Sequence, residues 1–176
     1  EKDFRGDRFK NHGKDLKGNN DILCLTQPAI IQDIHKAYFK AGSDIVETNT
    51  FNANAISQLD YGTEALSYEI NREAAKIAKK ATSSFLDKPR CVAGSMGPNN
   101  RTASFSHDVY SPGDRNFTFD KLKEAYFEQV KGLIVGGVDC FLIDTVFDTL
   151  DCKAALFAVQ VLLEQRKIDH TIMVSG

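Results

Sequence analysis

An α/β fold with a parallel sheet is predicted by three features of the 176-residue sequence. Four short runs are almost continuously apolar and rich in β-branched residues, the pattern of strands buried on both faces. Helical patterns separate those runs, as strand–crossover–strand units require. One unit also repeats: Ala41-Gly42-Ser43-Asp44 leads into a run ending Glu47-Thr48, and Gly136-Gly137-Val138-Asp139 leads into a run ending Asp144-Thr145.

The elements follow in order. Thr26 is placed to cap a helix with Pro28 in its first turn, running to about Ala41. Its apolar positions Ile30, Ile31, Ile34, Ala37 and Tyr38 keep the 3.6 period, and Gly42 stops it. The run 44–49 is the first strand. Thr63 opens a second helix through Leu66, Ile70, Ala74, Ile77 and Ala81, and 90–94 is the second strand. Thr118 caps a third helix through Leu122, Ala125, Tyr126, Val130, Leu133 and Ile134, stopped by Gly136-Gly137. The run 139–144 is the third strand. Thr149 caps a fourth helix through Ala155, Leu156, Val159 and Leu162, and 171–175 is the last strand.

In the repeat, the aspartate that starts each strand lies at the end where a (β/α) barrel keeps its stability residues. The acid that ends each strand, Glu47 or Asp144, lies at the carboxyl end, where such folds place chemistry. Glu47 and Asn49 are two apart and share a strand face. Four such units with a long loop over 97–117 fit two arrangements. One is an open sheet covered by helices on both faces. The other is half of an eight-unit barrel, which usually needs about 250 residues.

Composition excludes several classes. With 42% hydrophobic and 26% charged residues the chain is neither disordered nor collagen-like. A net charge of −2 leaves no basic surplus to draw nucleic acid. The longest strongly apolar stretch, 154–163, is interrupted by Gln160 and is short of the roughly 20 residues of a membrane span. The opening Glu1-Lys2-Asp3-Phe4-Arg5 has no apolar signal region. The chain does not begin with Met, and 172–176 reads as a strand cut off, so a piece of a longer protein is expected. Four cysteines, at 24, 91, 140 and 152, form no CxxC pair and suit a reducing, cytoplasmic setting. Cys91 and Cys140 lie in strand runs and read as small buried thiols. His12, His35, His107 and His170 form no spaced pair, and His35 is expected on an exposed helix flank.

Beyond the pattern, specific segments carry a resemblance. They are Asp3-Phe4-Arg5-Gly6, Leu16-Lys17-Gly18-Asn19-Asn20-Asp21-Ile22-Leu23, and Glu47-Thr48-Asn49-Thr50-Phe51-Asn52. Asp60-Tyr61-Gly62 and Val92-Ala93-Gly94-Ser95-Met96-Gly97-Pro98-Asn99-Asn100-Arg101-Thr102-Ala103-Ser104 continue it. Arg115-Asn116-Phe117-Thr118-Phe119-Asp120, Phe147-Asp148-Thr149-Leu150 and Lys153-Ala154-Ala155-Leu156-Phe157-Ala158 complete it. Together they resemble, essentially without gaps, the N-terminal homocysteine-binding module of the cobalamin-dependent methionine synthases.

The resemblance implies a (β/α)8 TIM barrel, of which strands two to five and their helices are present, so that 1–176 is a partial homocysteine-binding domain. It implies homocysteine as substrate, its thiol ionised on zinc and methylated from cobalamin that folate recharges. A free thiol has a pKa of about 8.5, and zinc removes that proton. The folate, cobalamin and activation modules of the same polypeptide are the implied partners. The family's zinc cysteines lie in Gly-Leu-Asn-Cys and Gly-Gly-Cys-Cys segments that do not occur here, so both cofactors have their ligands outside this chain. The piece alone is expected to be inactive.

Residue by residue, Asp144 stands where the family usually has Glu and is expected to hold the amino group of homocysteine. Asn49, Glu47 and Thr48 are the other substrate-binding candidates. Gly97, Pro98, Asn99 and Asn100 form a rim loop near where the cobalamin or folate modules dock. Arg101 and Arg115 read as solvated surface charges. Further departures are Met96 and Asn99 for Leu and Thr, and Asp151 and Cys152 for Asn and Ala. Cys152, in a helix first turn, reads as an incidental thiol, with a pKa lowered by the helix dipole as the alternative. A non-catalytic remnant of the same fold, or another homocysteine S-methyltransferase, is the alternative.

Overall fold

The computed structural model describes residues 1–101, 104, 110 and 117–176. Along them run α1 (Lys2–Arg5), α2 (Leu23–Thr26), α3 (Pro28–Lys40), β1 (Ile45–Glu47), α4 (Ala55–Gln58) and α5 (Ser67–Thr82). Then follow β2 (Cys91–Met96), α6 (Phe119–Gly136), β3 (Cys140–Ile143), α7 (Thr149–Arg166) and β4 (Thr171–Val174). The four strands form one sheet in chain order, β1-β2-β3-β4. Every pair is parallel, with Ile45 beside Cys91, Ala93 beside Cys140 and Cys140 beside Thr171.

The distribution of the core chooses between the two arrangements. Val46, Val92, Met96, Phe141 and Ile143 share one sheet face and merge with α5, α6 and α7 through Ala78, Leu122, Tyr126, Leu133, Ala155 and Val159. Phe39 of α3 joins the same cluster. An open doubly wound sheet carries helices on both faces. Here the long helices share one face, as in a (β/α) barrel. The fold is α/β, a partial TIM barrel with half of the eight strands. The other face, with Ile45, Glu47, Ala93, Ser95, Leu142 and Met173, is the one that looks inward in a closed barrel.

Three helix starts differ from the sequence expectation. Thr26 ends α2, and α3 opens at Pro28 without a side-chain cap. Thr63 gives its hydroxyl to Gln58 Oε1 at 2.7 Å, and a short 3₁₀ turn, Glu64–Leu66, precedes α5. Asp148, not Thr149, caps α7, accepting from the amides of Leu150 at 2.8 Å and Asp151 at 3.4 Å. Its carboxylate satisfies two of the orphan donors at a helix start, where a hydroxyl satisfies one. Thr118 caps α6 as expected, and Gly137, at φ 92°, ends it.

On α3 the apolar stripe is turned the other way. Ile31, His35 and Phe39 are buried, while Ile30, Ile34 and Tyr38 are 54%, 46% and 60% exposed beside the open edge of β1. The helix has two apolar faces, and in a barrel the second meets elements that do not lie among these four strands. His35 is therefore buried rather than on an exposed flank, and burial lowers its pKa. Among the described residues, no helix is long and apolar enough to cross a membrane.

Candidate functional site

The carboxyl ends of the strands place Glu47, Thr48 and Asn49 on one cavity and Gly97, Pro98 and Asp144 on another, while Asn99 and Asn100 line neither. Glu47 ends β1 and accepts from Ser95 Oγ at 3.1 Å. With Thr48, Asn49, Ala93 and Leu142 it lines a cavity of about 620 Å³. Asn49 lies beyond the strand, so the two-residue spacing does not hold its side chain beside that of Glu47. Its Nδ2 instead donates to Asn20 O at 2.8 Å, and its backbone carbonyl meets Cys24 Sγ at 3.5 Å. Thr48 is buried; its hydroxyl lies 2.6 Å from that of Thr50 and accepts from Ser95 N at 3.0 Å. Thr50 donates to Ser95 O at 2.7 Å, and Gln129 Nε2 donates to Thr50 O at 2.8 Å. These four buried side chains tie the ends of β1 and β2 to α6. Gln129 escapes sequence reading because it interrupts an otherwise apolar helix face.

Asp144 follows β3. Its amide donates to Met96 O at 3.0 Å and its Oδ1 accepts from Thr145 N at 2.8 Å. Thr145 sits at φ 55°, the left-handed region that a β-branched residue seldom occupies, so strain is stored at the strand end. Asp144 lines a smaller cavity with Gly97, Tyr126 and Asp151.

The rim loop is anchored from several sides. Gly97 N donates to Phe51 O at 2.9 Å, and Gly97 O accepts from Tyr126 Oη at 3.2 Å. A Cβ at position 97 would lie 2.7 Å from the Phe51 ring, which explains the glycine. Pro98 is half-buried. Asn99 is buried, its Oδ1 accepting from Arg101 N at 3.1 Å. Asn100 donates to Asp60, and Arg101 pairs with Asp60 at 2.9 Å and donates to Ile56 O at 3.1 Å. Arg101 is thus a tie from the loop to α4 and to the segment after it, not a solvated charge. Arg115 and His107 lie outside the described residues.

Electrostatics single out two acids that the sequence pattern does not mark. Burial pushes Asp151 up to about 6, with the nearby Asn99 carboxamide pulling the other way. Burial also pushes Asp21 up to about 6, against the amide of Asn52, which donates to it at 3.1 Å. Asp148 is held below the ordinary range: burial pushes it up, but bonds from Ser104, Leu150 and Asp151 prevail. Burial pushes the Cys24 thiol up to about 12 and also raises Cys152. The helix dipole does not prevail at Cys152, because the side chain is partly withdrawn from water.

The donor set does not fit a metal: among the described residues no three of His, Cys, Asp or Glu converge to hold one. The four cysteines are free, and two of them are buried. The site can therefore offer carboxylates, carboxamides and a shaped rim, which suits a small polar ligand with cationic and hydrogen-bonding groups.

The comparisons agree with this architecture. Crystal structures of the homocysteine methyltransferase MmuM from Escherichia coli match with TM-scores of 0.68 (oxidized form) and 0.69 (metallated form). Identities are 20% and 21%, over 92% of this chain. The match takes in 56% and 57% of those chains, so the present chain spans little more than half the length of the structures it matches. The family model for homocysteine S-methyltransferases matches residues 2–176. The chain belongs to the homocysteine S-methyltransferase family.

Proposed function

We propose that residues 1–176 are a partial homocysteine-binding domain of a methionine synthase. The observation that carries the reading is the family match over 2–176, which brings homocysteine as the methyl acceptor. The methionine synthase assignment rests on the resemblance of the segments around Glu47, Gly97 and Phe147. In the whole protein, methylcobalamin recharged by 5-methyltetrahydrofolate supplies the methyl group and zinc ionises the thiol. The metal ligands belong outside these residues. The setting proposed is cytoplasmic, in keeping with four free cysteines.

Within this reading Asp144 takes the amino group of homocysteine. Glu47, fixed by Ser95, and Asn49, fixed by Asn20, present polar groups to the larger cavity. Thr48 contributes by holding β1 to β2, its hydroxyl being spent on Thr50 and Ser95. The turn formed by Gly97, Pro98, Asn99 and Asn100 faces the folate or cobalamin module of the same polypeptide.

Two measurements test the proposal. The gene is expected to encode an Asp-Gly-Met-Gly-Thr turn upstream and a Gly-Gly-Cys-Cys segment downstream; an intact reading frame lacking both would overturn it. The protein expressed with those flanks is expected to methylate homocysteine from methylcobalamin. Transfer only from another methyl donor would favour a different homocysteine S-methyltransferase, a reading that the likeness to MmuM supports.

A further inference from the structure

Among the described residues the sheet has two open edges, β1 and β4. At β1, Asp44 O accepts from Cys91 N and Thr48 N donates to Ala93 O, both at 2.9 Å. The N–H and C=O of one strand residue point to the same side, and successive residues alternate. Ile45 and Glu47 therefore turn their backbone groups to the open edge. At β4, Ser175 N donates to Ile143 O at 2.9 Å, so Ile172 and Val174 turn theirs away from β3. Each edge thus presents a ladder suited to one more parallel strand.

The helix beside β1 narrows what fits there. α5, α6 and α7 each connect two neighbouring strands and pack in the core over them. α3 leads into β1 in the same way, but it has a strand under only half of its width, and Ile30, Ile34 and Tyr38 overhang. Under the overhang lies the cavity of about 620 Å³, with Ile34, Tyr38, Ile45 and Glu47 in its wall. His35 lines it too; it is 5% exposed, and its Nε2 has no hydrogen-bond partner among the described residues. A buried polar atom without a partner is costly. The groove is complete only with an occupant that has backbone hydrogen-bonding groups and apolar side chains, which describes a β-strand.

β4 of a second copy meets these conditions. Ile172 and Val174 pair with Phe141 and Ile143 and lie on the helix side of the sheet, where the α3 overhang would cover them. Thr171-Ile172-Met173-Val174 carries no charge, so Glu47 meets no like charge across the seam. A twofold axis makes the same seam twice, and four strands from each copy make the eight of a closed barrel. With both edges paired, growth stops at two copies. Half of α3, all of β1 and β4 and the flank of α7 would engage on each copy, on the order of the 20 residues a side of a standard stable interface.

We infer that the 176-residue chain forms a closed dimer in which β4 of each copy pairs in parallel with β1 of the other, with α3 over the seam. The cavity beside Glu47 then gains a second wall from the other copy. In a longer polypeptide flanking strands take the same two edges, so the inference concerns this chain by itself and does not rest on the homocysteine reading.

Light scattering after size exclusion reads the mass of the 176-residue chain, and twice 19.5 kDa is expected. Ile45→Pro removes an N–H from the β1 edge and Val174→Pro one from the β4 edge; neither N–H bonds within the sheet, so both variants should fold. Either variant alone disables both seams and is expected to weaken the dimer by roughly tenfold or more. Mixing the two restores one seam and should give a heterodimer tighter than either variant forms alone. Tyr38→Lys and Val174→Lys, at positions 60% and 52% exposed, carry the same comparison where a proline variant does not fold. A monomer overturns the inference, and so does a series of larger oligomers, since a closed barrel has no free edge. A dimer that survives either edge variant uses another pairing and overturns it as well. Each of these failures leaves the functional reading untouched, because none of them measures homocysteine.

Discussion

Asp139 and Val92 are joined twice: Asp139 N donates to Val92 O at 2.9 Å, and Val92 N donates back to Asp139 Oδ2 at 2.8 Å. Lys79 Nζ, from α5, meets the same carboxylate at 2.8 Å and 3.0 Å. One side chain at the start of β3 thus pairs a backbone amide at the start of β2 and ties the sheet to a helix. Asp139→Ala would leave the Val92 amide without its partner and Lys79 without its anion. A loss of about 1–3 kcal/mol is expected, read as a lowered urea midpoint at constant slope. Asp139→Asn should lose less, since it retains an acceptor. Equal stability of all three proteins would show that the double link is not structural.

The close crossing of α5 and α6 depends on two glycines. A Cβ at Gly136 would lie 2.4 Å from Ala75 Cβ and 2.6 Å from Arg72 O; one at Gly132 would lie 2.5 Å from Tyr68 O. Backbone oxygens cannot give way as a flexible side chain would. Gly136→Ala is expected to destabilise by roughly 1–3 kcal/mol despite its better helix propensity. A stabilised variant in thermal unfolding would contradict so close an approach of the two helices.

Asp151→Asn should do the reverse at neutral pH. It removes a charge that burial and the neighbouring Asp148 disfavour, and a gain on the order of 1–2 kcal/mol is expected. The gain should shrink toward pH 4, where the wild-type acid is protonated. A variant less stable than wild type at pH 7.5 would mean that the carboxylate has a partner in solution.

The pH profile of the whole chain follows from opposing shifts. Asp21 and Asp151 are each raised to about 6 by burial, against about 3.9 for an unfolded aspartate. The folded state then binds more protons between those values. By linkage these two contributions are fully present below about pH 4 and are lost as pH rises through 6. Asp44 and Glu69, lowered by Lys88 and Arg8, work oppositely, contributing above the ordinary carboxylate range and losing it as pH falls. Melting temperature is expected to be higher near pH 5 than at pH 7.5, and a steady rise from 5 to 7.5 would refute the assignment.

Self-association is expected of the isolated chain. Ile45 is on an edge strand beside exposed Ile30, Ile34 and Tyr38, and Val174 is exposed on the opposite edge. Such edges offer unpaired backbone beside apolar surface. Light scattering should show oligomers that Ile34→Lys with Tyr38→Lys reduces; a concentration-independent monomer would count against it.

The strands are legible in the sequence because each is a continuous apolar run, and so is the structural role of Asp139, whose place in the repeat marks the stability end. What escapes depends on distant neighbours. The stripe Ile30, Ile34, Tyr38 has the period of a buried face, but period alone does not say which of two apolar faces has a neighbour in this chain. His35 is buried because its face meets the protein, a fact of docking rather than of composition. Asp151 resembles the solvated acid common in a helix first turn; its burial comes from Asn99 and Tyr126, brought in by the turn after β2 and by α6. Glu47 and Asp144 read as strand-end acids and lie there, though on separate cavities.

The chain-order sheet has a consequence for synthesis. As the polypeptide emerges from the ribosome, each new strand finds its hydrogen-bonding neighbour already made, since none must be inserted between two existing ones. Growth of the sheet and growth of the chain run in one direction, so a nascent chain carries one advancing edge and never an internal gap awaiting a later segment.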